Sequence, residues 1–141
     1  MEIRLIKTSD DEYRGELELR DRILRKPLGL NLYDTLGDES GYFHIVAMDA
    51  DDVIGCLVLV PVDPNTIQMK QVAVDDKTQG RGIGKRLVTY AEQFAKTTGF
   101  QKMVLDSRLT ALPFYERQGY RAVGEQFLTV GLPHLRMEKD L

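Results

Sequence analysis

The chain has 141 residues, of which 43% are hydrophobic and 29% charged, and carries a formal net charge of -3. That size predicts a single domain over residues 1–141, and the composition suits a buried core, which excludes disorder as the default. The slightly acidic balance supplies no overall basic field, so neither nucleic acid nor an anionic membrane is an expected partner, and any anion site has to be local. The one cysteine, Cys56, sits in the apolar run Val53–Val60 without an intramolecular partner and reads as packing, not as a nucleophile. Met1–Thr8 lacks the apolar core of a signal peptide and no window approaches a membrane span, so the expected location is the cytoplasm.

Glu2–Ile6 alternates polar and apolar side chains, the pattern of a strand. Ser9-Asp10-Asp11-Glu12 has the form of a capping box and predicts a helix with Tyr13, Leu17 and Leu24 on one face, stopped by Pro27 and Gly29. Leu28–Gly41 has no period and reads as a loop with a helical turn, placed to line a pocket. Three strand-like runs follow, Tyr42–Met48, Val53–Pro61 and Thr66–Val74, and the short Asp-rich turns between them predict an antiparallel meander. Ile83, Leu87, Ala91, Phe94 and Ala95 then recur at helical spacing, with Gly99 as the stop. Lys102–Asp106 is a strand reached through that helix, which predicts a parallel neighbour. A short helix near Leu112–Gln118 ends at Gly119, and Tyr120–Val123 and His134–Lys139 are the last strands. The order β-α-β-β-β-α-β-α-β-β predicts an α/β fold, one mixed sheet with helices on both faces.

Between the third run and the long helix lies Gln79-Gly80-Arg81-Gly82-Ile83-Gly84-Lys85-Arg86. The first-turn amides of a helix have no internal partner and carry the positive end of its dipole, so an anion placed there gains hydrogen bonds and charge complementarity together. Glycines at this point let the backbone approach that anion closely. Arg81, Lys85 and Arg86 stand where the dipole disfavours cations, and a bound anion would reverse the preference. The bland alternative is a glycine-rich turn with solvated basic residues. A P-loop needs Lys-Ser/Thr after its last glycine, but Gly84 is followed by Lys85-Arg86. A dinucleotide fingerprint needs a third glycine where Lys85 or Leu87 stands.

The spacing Gln79-x-x-Gly82-x-Gly84, preceded by Val72-Ala73-Val74-Asp75 and followed by Pro113-Phe114-Tyr115-Glu116-Arg117-Gln118-Gly119-Tyr120, resembles the GCN5-related N-acetyltransferase (GNAT) superfamily over almost the whole chain. The ending Gly131-Leu132-Pro133-His134-Leu135-Arg136-Met137 looks like its small bacterial ElaA- and YjcF-like branch. The resemblance implies a mostly antiparallel mixed sheet of six to seven strands in which a splayed parallel pair holds the pantetheine arm of acetyl-CoA. It assigns the backbone of Val72 and Val74 to that arm, and Gln79, Gly80, Arg81, Gly82, Ile83, Gly84 and Lys85 to the pyrophosphate. The implied activity is transfer of an acetyl group from acetyl-CoA to a primary amine of a small molecule or protein, by direct attack and without a metal. The implied partners are that acceptor and, as one option for assembly, a second copy in a homodimer.

Tyr115 matches the tyrosine that protonates the departing thiolate in this family; a core aromatic is the alternative. Many relatives carry a glutamate base on the strand before the loop, where this chain has Ile67-Gln68-Met69-Lys70-Gln71. His134 is then the candidate base, since imidazole titrates near neutral pH, with a hydrogen-bonded structural histidine as its equal rival. His44, inside an apolar run, reads as packing. Arg108 stands where relatives have asparagine, and is open to the cofactor phosphates, an acidic acceptor or Asp106. The basic stretch Arg20, Arg22, Arg25 and Lys26 is the candidate acceptor side and would suit an acceptor carrying a carboxylate or phosphate; a solvated helix face, with Glu16, Glu18 and Asp21 cancelling much of the field, is the equal alternative. The missing glutamate keeps a second reading open, a catalytically weak acyl-CoA-binding regulatory module.

Overall fold

Seven strands and three α-helices follow one another in a computed structural model that describes residues Met1–Leu141. They are β1 (Glu2–Ile6), α1 (Glu12–Arg20), β2 (Phe43–Asp49), β3 (Asp52–Pro61), β4 (Thr66–Val74), α2 (Ile83–Thr98), β5 (Lys102–Arg108), α3 (Leu112–Arg117), β6 (Arg121–Thr129) and β7 (Leu132–Asp140). The sheet order is β1-β2-β3-β4-β5-β7-β6, with β4 and β5 parallel and every other neighbouring pair antiparallel. The expected mixed sheet with helices on both faces is therefore the observed one.

Strand alternation sends successive side chains to opposite faces, and here both faces are covered. Val46, Met48, Cys56 and Ala73 pack against Leu19 of α1 on one side. Ile45, Ala47, Leu57 and Leu59 pack against Ile83, Leu87, Ala91 and Ala95 of α2 on the other. The recurrence of α2's apolar residues along one stripe is what makes it a helix here, and Gly99 closes it in the left-handed conformation at φ 107°. Leu87 is fully buried, so truncating it to alanine costs about 2–5 kcal/mol.

Two local expectations need correction. Asp11, not Ser9, precedes α1, and it makes no side-chain cap. Ser9 is held inside a turn closed by the Asp10 amide on the Lys7 carbonyl at 3.0 Å, while Glu12 turns to Arg4 at 2.9 Å, so neither member of the capping box is available. β6 also runs six residues past Val123: a bulge at Gly124–Gln126 shifts the register from Val123 opposite Arg136 to Phe127 opposite His134. Its residues are almost all exposed, so no apolar alternation marks the extension.

The helix after β1 continues beyond α1 as a π-helical turn, Asp21–Arg25, and a tighter turn, Lys26–Leu28, before Gly29 reverses the chain. Leu32–Asp34 supplies the helical turn expected in the following loop.

Candidate active site

The parallel pair opens partway along. β4 pairs with β5 only from Thr66–Met69 against Lys102–Leu105, yet β4 continues to Val74 and β5 to Arg108. On its other edge β4 stays attached to β3, but between the pairs Cys56–Ala73 and Val58–Lys70 two β4 residues, Gln71 and Val72, oppose the single residue Leu57. This bulge holds Gln71 at φ 57°, a conformation uncommon for a residue with a side chain, and the local bend turns β4 away from β5. The fully buried Cys56 thiol donates to the Gln71 carbonyl oxygen at 3.6 Å. Burial pushes that thiol far above its ordinary pKa, so it remains a proton donor at the bulge and does not become a nucleophile.

A cavity of about 350 Å³ fills the opening. Gln68–Val72 of β4 and Leu105–Arg108 of β5 form its walls; Leu24 and Arg25, Tyr115, and Thr129, Val130 and His134 close its ends. The structure thus brings together Tyr115, His134, Val72 and Arg108 from four separate segments. Gln68 and Gln71 face the same space with neutral amides, where the sequence lacks a carboxylate.

Tyr115 is buried at 8% exposure, and its ring stacks edge-on against Phe114 and Tyr120. Its hydroxyl makes no hydrogen bond within the protein, and burial raises its pKa to about 12. It is at once a core aromatic and a residue that lines the cavity. His134 lies at 6% exposure, its ring tilted against Phe127 at 6.0 Å. Its Nδ1 stands 2.8 Å from the Leu132 carbonyl oxygen, a contact that only an Nδ1–H can make. In the neutral ring the remaining nitrogen, Nε2, is an acceptor with a free lone pair.

Asp106 does not pair with Arg108. Its Oδ1 forms an ion pair with Arg136 Nε at 2.7 Å without hydrogen-bond geometry, its Oδ2 accepts from Gln68 Nε2 at 3.5 Å, and Arg108 has no ionic partner. Ser107, buried between them, donates its hydroxyl to the Arg108 carbonyl oxygen at 2.8 Å. Of the basic stretch expected near the acceptor, Arg25 alone lines the cavity. Arg20 is buried elsewhere, Arg22 faces Asp75 at 3.3 Å and Lys26 faces Asp21 at 3.8 Å. Ser107, Thr129 and Val130 had no signal in the sequence, since Thr129 and Val130 follow the β6 bulge where periodicity fails and Ser107 lies in an ordinary strand run.

The glycine loop follows β4 through a turn, Asp76–Thr78, and leads into α2. Gly80 and Gly82 have φ of 87° and 72°, and a side chain built at either would meet nothing within 4 Å. The amides therefore border open space, and α2 begins with no side-chain cap and no acidic residue in its first turn. Gln79, Arg81 and Lys85 are exposed around it, Arg81 in a loose 3.8 Å contact with Asp49. Ile83 is buried in the core, so only its backbone can face an anion. Gly84 lies closer to the body of the protein: a β-carbon there would stand in ordinary contact, 3.4 Å from Phe114 and 3.7 Å from Val74. The loop, α3 and the end of β4 are thus packed on one another. Val74 turns its side chain to this contact and to the core, while Val72 lines the cavity. Together, uncapped helix amides, glycines that leave room and an opened strand edge fit a ligand with a phosphate end and an extended arm.

His44 is remote from this cavity. It is 1% exposed, with Nδ1 3.0 Å from Glu16 and Nε2 2.9 Å from the Glu39 carbonyl oxygen. Arg20 bridges Glu16 at 2.8 Å and Glu39 at 2.7 and 2.8 Å. Glu16, Glu39 and His44 have the atoms to hold a metal, but the guanidinium already supplies the cation between the two carboxylates. Burial lowers the His44 pKa and the Glu16 hydrogen bond and charge more than offset it, leaving it raised.

Residues 28–141 match the family model described as "Acetyltransferase (GNAT) domain". The uncharacterized N-acetyltransferase YjcF of Bacillus subtilis is 25% identical over 138 residues, which is 96% of this chain and 98% of YjcF. Human N-acetyltransferase 8B is 33% identical over 100 residues, and there the match spans 65% of this chain and only 44% of the relative. The crystal structure of Escherichia coli ElaA has the same fold, with a TM-score of 0.84 at 18% identity over 98% of both chains.

Proposed function

The chain belongs to the GNAT acetyltransferase family, on the small ElaA/YjcF-like side of it, and we propose that it transfers the acetyl group of acetyl-CoA to a primary amine held in the β4–β5 cavity. The observation that carries this reading is the opening of β4 from β5 after Met69, with a donor and an acceptor facing it: the free hydroxyl of Tyr115 and the free Nε2 of His134.

Acetyl-CoA supplies the activated thioester. The backbone of Gln79–Lys85 holds its pyrophosphate at the start of α2, where the dipole and the unsatisfied amides act together, and Arg81 and Lys85 add charge. The unpaired edge of β4, at Val72 and Val74, receives the pantetheine arm as an added strand. A bulge amide at Val72 is placed to polarise the thioester carbonyl.

Attack is direct: the nitrogen–carbon bond forms as the carbon–sulfur bond breaks, with both reactants held in one cavity. His134 Nε2 accepts the proton that the amine gives up, and the Leu132 carbonyl holds the imidazole in the tautomer that can do so. The Tyr115 hydroxyl supplies the proton that the sulfur takes. With its pKa near 12 it stays protonated at neutral pH and acts chiefly by donating a hydrogen bond to the developing thiolate.

Thiol release measured over a panel of amines tests the reading. Release that rises above hydrolysis with at least one amine, together with the N-acetyl product, supports it. A second reading is favoured by one observation, the neutral Gln68 and Gln71 where a carboxylate base would stand: the chain binds acyl-CoA as a regulatory module. Tight acetyl-CoA binding with no amine-dependent release would establish that module instead.

A further inference from the structure

Arg25 and Arg108 reach the cavity from different elements, the π-helical turn after α1 and the open end of β5. Neither has a carboxylate partner. Arg25 donates only to the Leu24 carbonyl oxygen at 3.2 Å and, at 3.5 Å, to Gln71 Oε1; the Arg108 guanidinium makes no hydrogen bond within the protein. Lys70 adds a third cation to the lining. The cavity's one carboxylate, Asp106, is already occupied by Arg136 and Gln68.

Charges withdrawn from water without counter-ions are costly, and this chain avoids the cost elsewhere. Arg20, more deeply buried, is matched by two glutamates. Arg25 has no such pair: burial first, then the charges of Arg20 and Arg108, hold its pKa below the ordinary guanidinium value, and the charge of Asp21 offsets this only in part. Two guanidiniums that repel one another across a cavity form a receptor for an anion, since each presents a planar fork of donors that matches a carboxylate. A phosphate would also answer such forks, and phosphoethanolamine is the arm of the test that separates the two anions. Leu24, Met69, Leu105 and Val130 in the same lining offer contact to a short aliphatic body.

We propose that the acceptor is a small amine that carries a carboxylate, held by Arg25 and Arg108 with its amino group toward His134. This deepens the acetyltransferase reading and rests on it.

The test measures kcat/KM for α-, β- and γ-amino acids, each against its own carboxamide, with phosphoethanolamine and a diamine as further arms. The wild-type chain should prefer at least one acid over its amide by about tenfold or more. Arg25→Met and Arg108→Met should each reduce that preference to about threefold or less, through KM, while the acetyl-CoA Kd measured by calorimetry stays within about twofold. Equal rates on acid and amide, or a preference for the diamine, overturn the proposal and leave acetyl transfer standing. Preference for phosphoethanolamine overturns the carboxylate assignment. Loss of acetyl-CoA affinity in the arginine variants overturns it as well, by assigning the guanidiniums to the cosubstrate. Absence of release with every amine removes the acetyltransferase reading itself.

Discussion

Arg108 of β5 stands directly opposite His134 of β7 in the antiparallel register, and both line the cavity where β5 parts from β4. One strand pairing therefore places the proposed acceptor anchor beside the proposed base. The chemistry on one side is fixed by β7 and on the other by α3, so each role is separable by substitution.

His134→Gln removes the proposed base while keeping a polar side chain of similar reach. The expected outcome is a fall in kcat of about a hundredfold, with little change in the acetyl-CoA Kd. A variant that keeps its rate would return His134 to a structural role, holding the β6–β7 hairpin through Leu132.

Tyr115→Phe deletes one oxygen from a side chain that is otherwise core. Turnover should drop by about ten- to a hundredfold with acetyl-CoA affinity and melting temperature nearly unchanged. An acid must be protonated to act, so a group with its pKa near 12 produces no alkaline limb below about pH 10 in the wild-type profile. A Tyr115-dependent limb near neutrality would contradict that burial-driven shift.

Gly82→Glu puts a carboxylate at the mouth of the α2 amides. Nothing lies within 4 Å of a β-carbon added there, so the fold survives at a cost of about 1–2 kcal/mol for the left-handed backbone, while acetyl-CoA binding is lost through charge repulsion. Gly82→Ala carries the same backbone cost without the charge, and calorimetry should find it binding far better than the glutamate variant. Equal losses in the two would mean that conformation, not the anion site, explains Gly82.

The buried group Glu16, Arg20, Glu39 and His44 governs stability rather than turnover. The folded pKa of His44 is raised, so its contribution is fully present below the unfolded value of about 6.5 and is lost as pH rises through the higher folded value. The melting-temperature gap between wild type and His44→Gln should be widest near about pH 5.5 and narrow by about pH 9. A gap that widens with pH would reverse the assignment. Arg20→Met, which strands two carboxylates, should destabilise by about 3–5 kcal/mol in denaturant titration.

Much of the fold was legible because its signals are local. The α2 stripe, the short turns between β2, β3 and β4, and Gly99 and Gly119 each act within a few residues, and the structure keeps them. The capping box failed because a competing turn at Lys7–Asp10 engaged the same residues. The β6 extension escaped notice because an exposed edge strand has no buried face to impose a period on its sequence.

By itself the sequence determined the order of elements, the glycine-rich entry to the long helix, and the family, since these depend on residue type and spacing along the chain. Tertiary structure alone decided which charges stay unmatched. Asp106 is two residues from Arg108 and shares its face of β5, but the antiparallel register sets Asp106 directly opposite Arg136 of β7 and Arg108 opposite His134, while Arg25, far away in sequence, arrives beside the same cavity through the π-helical turn. Ion pairing is settled by distances across strands and helices, which spacing along the chain does not encode.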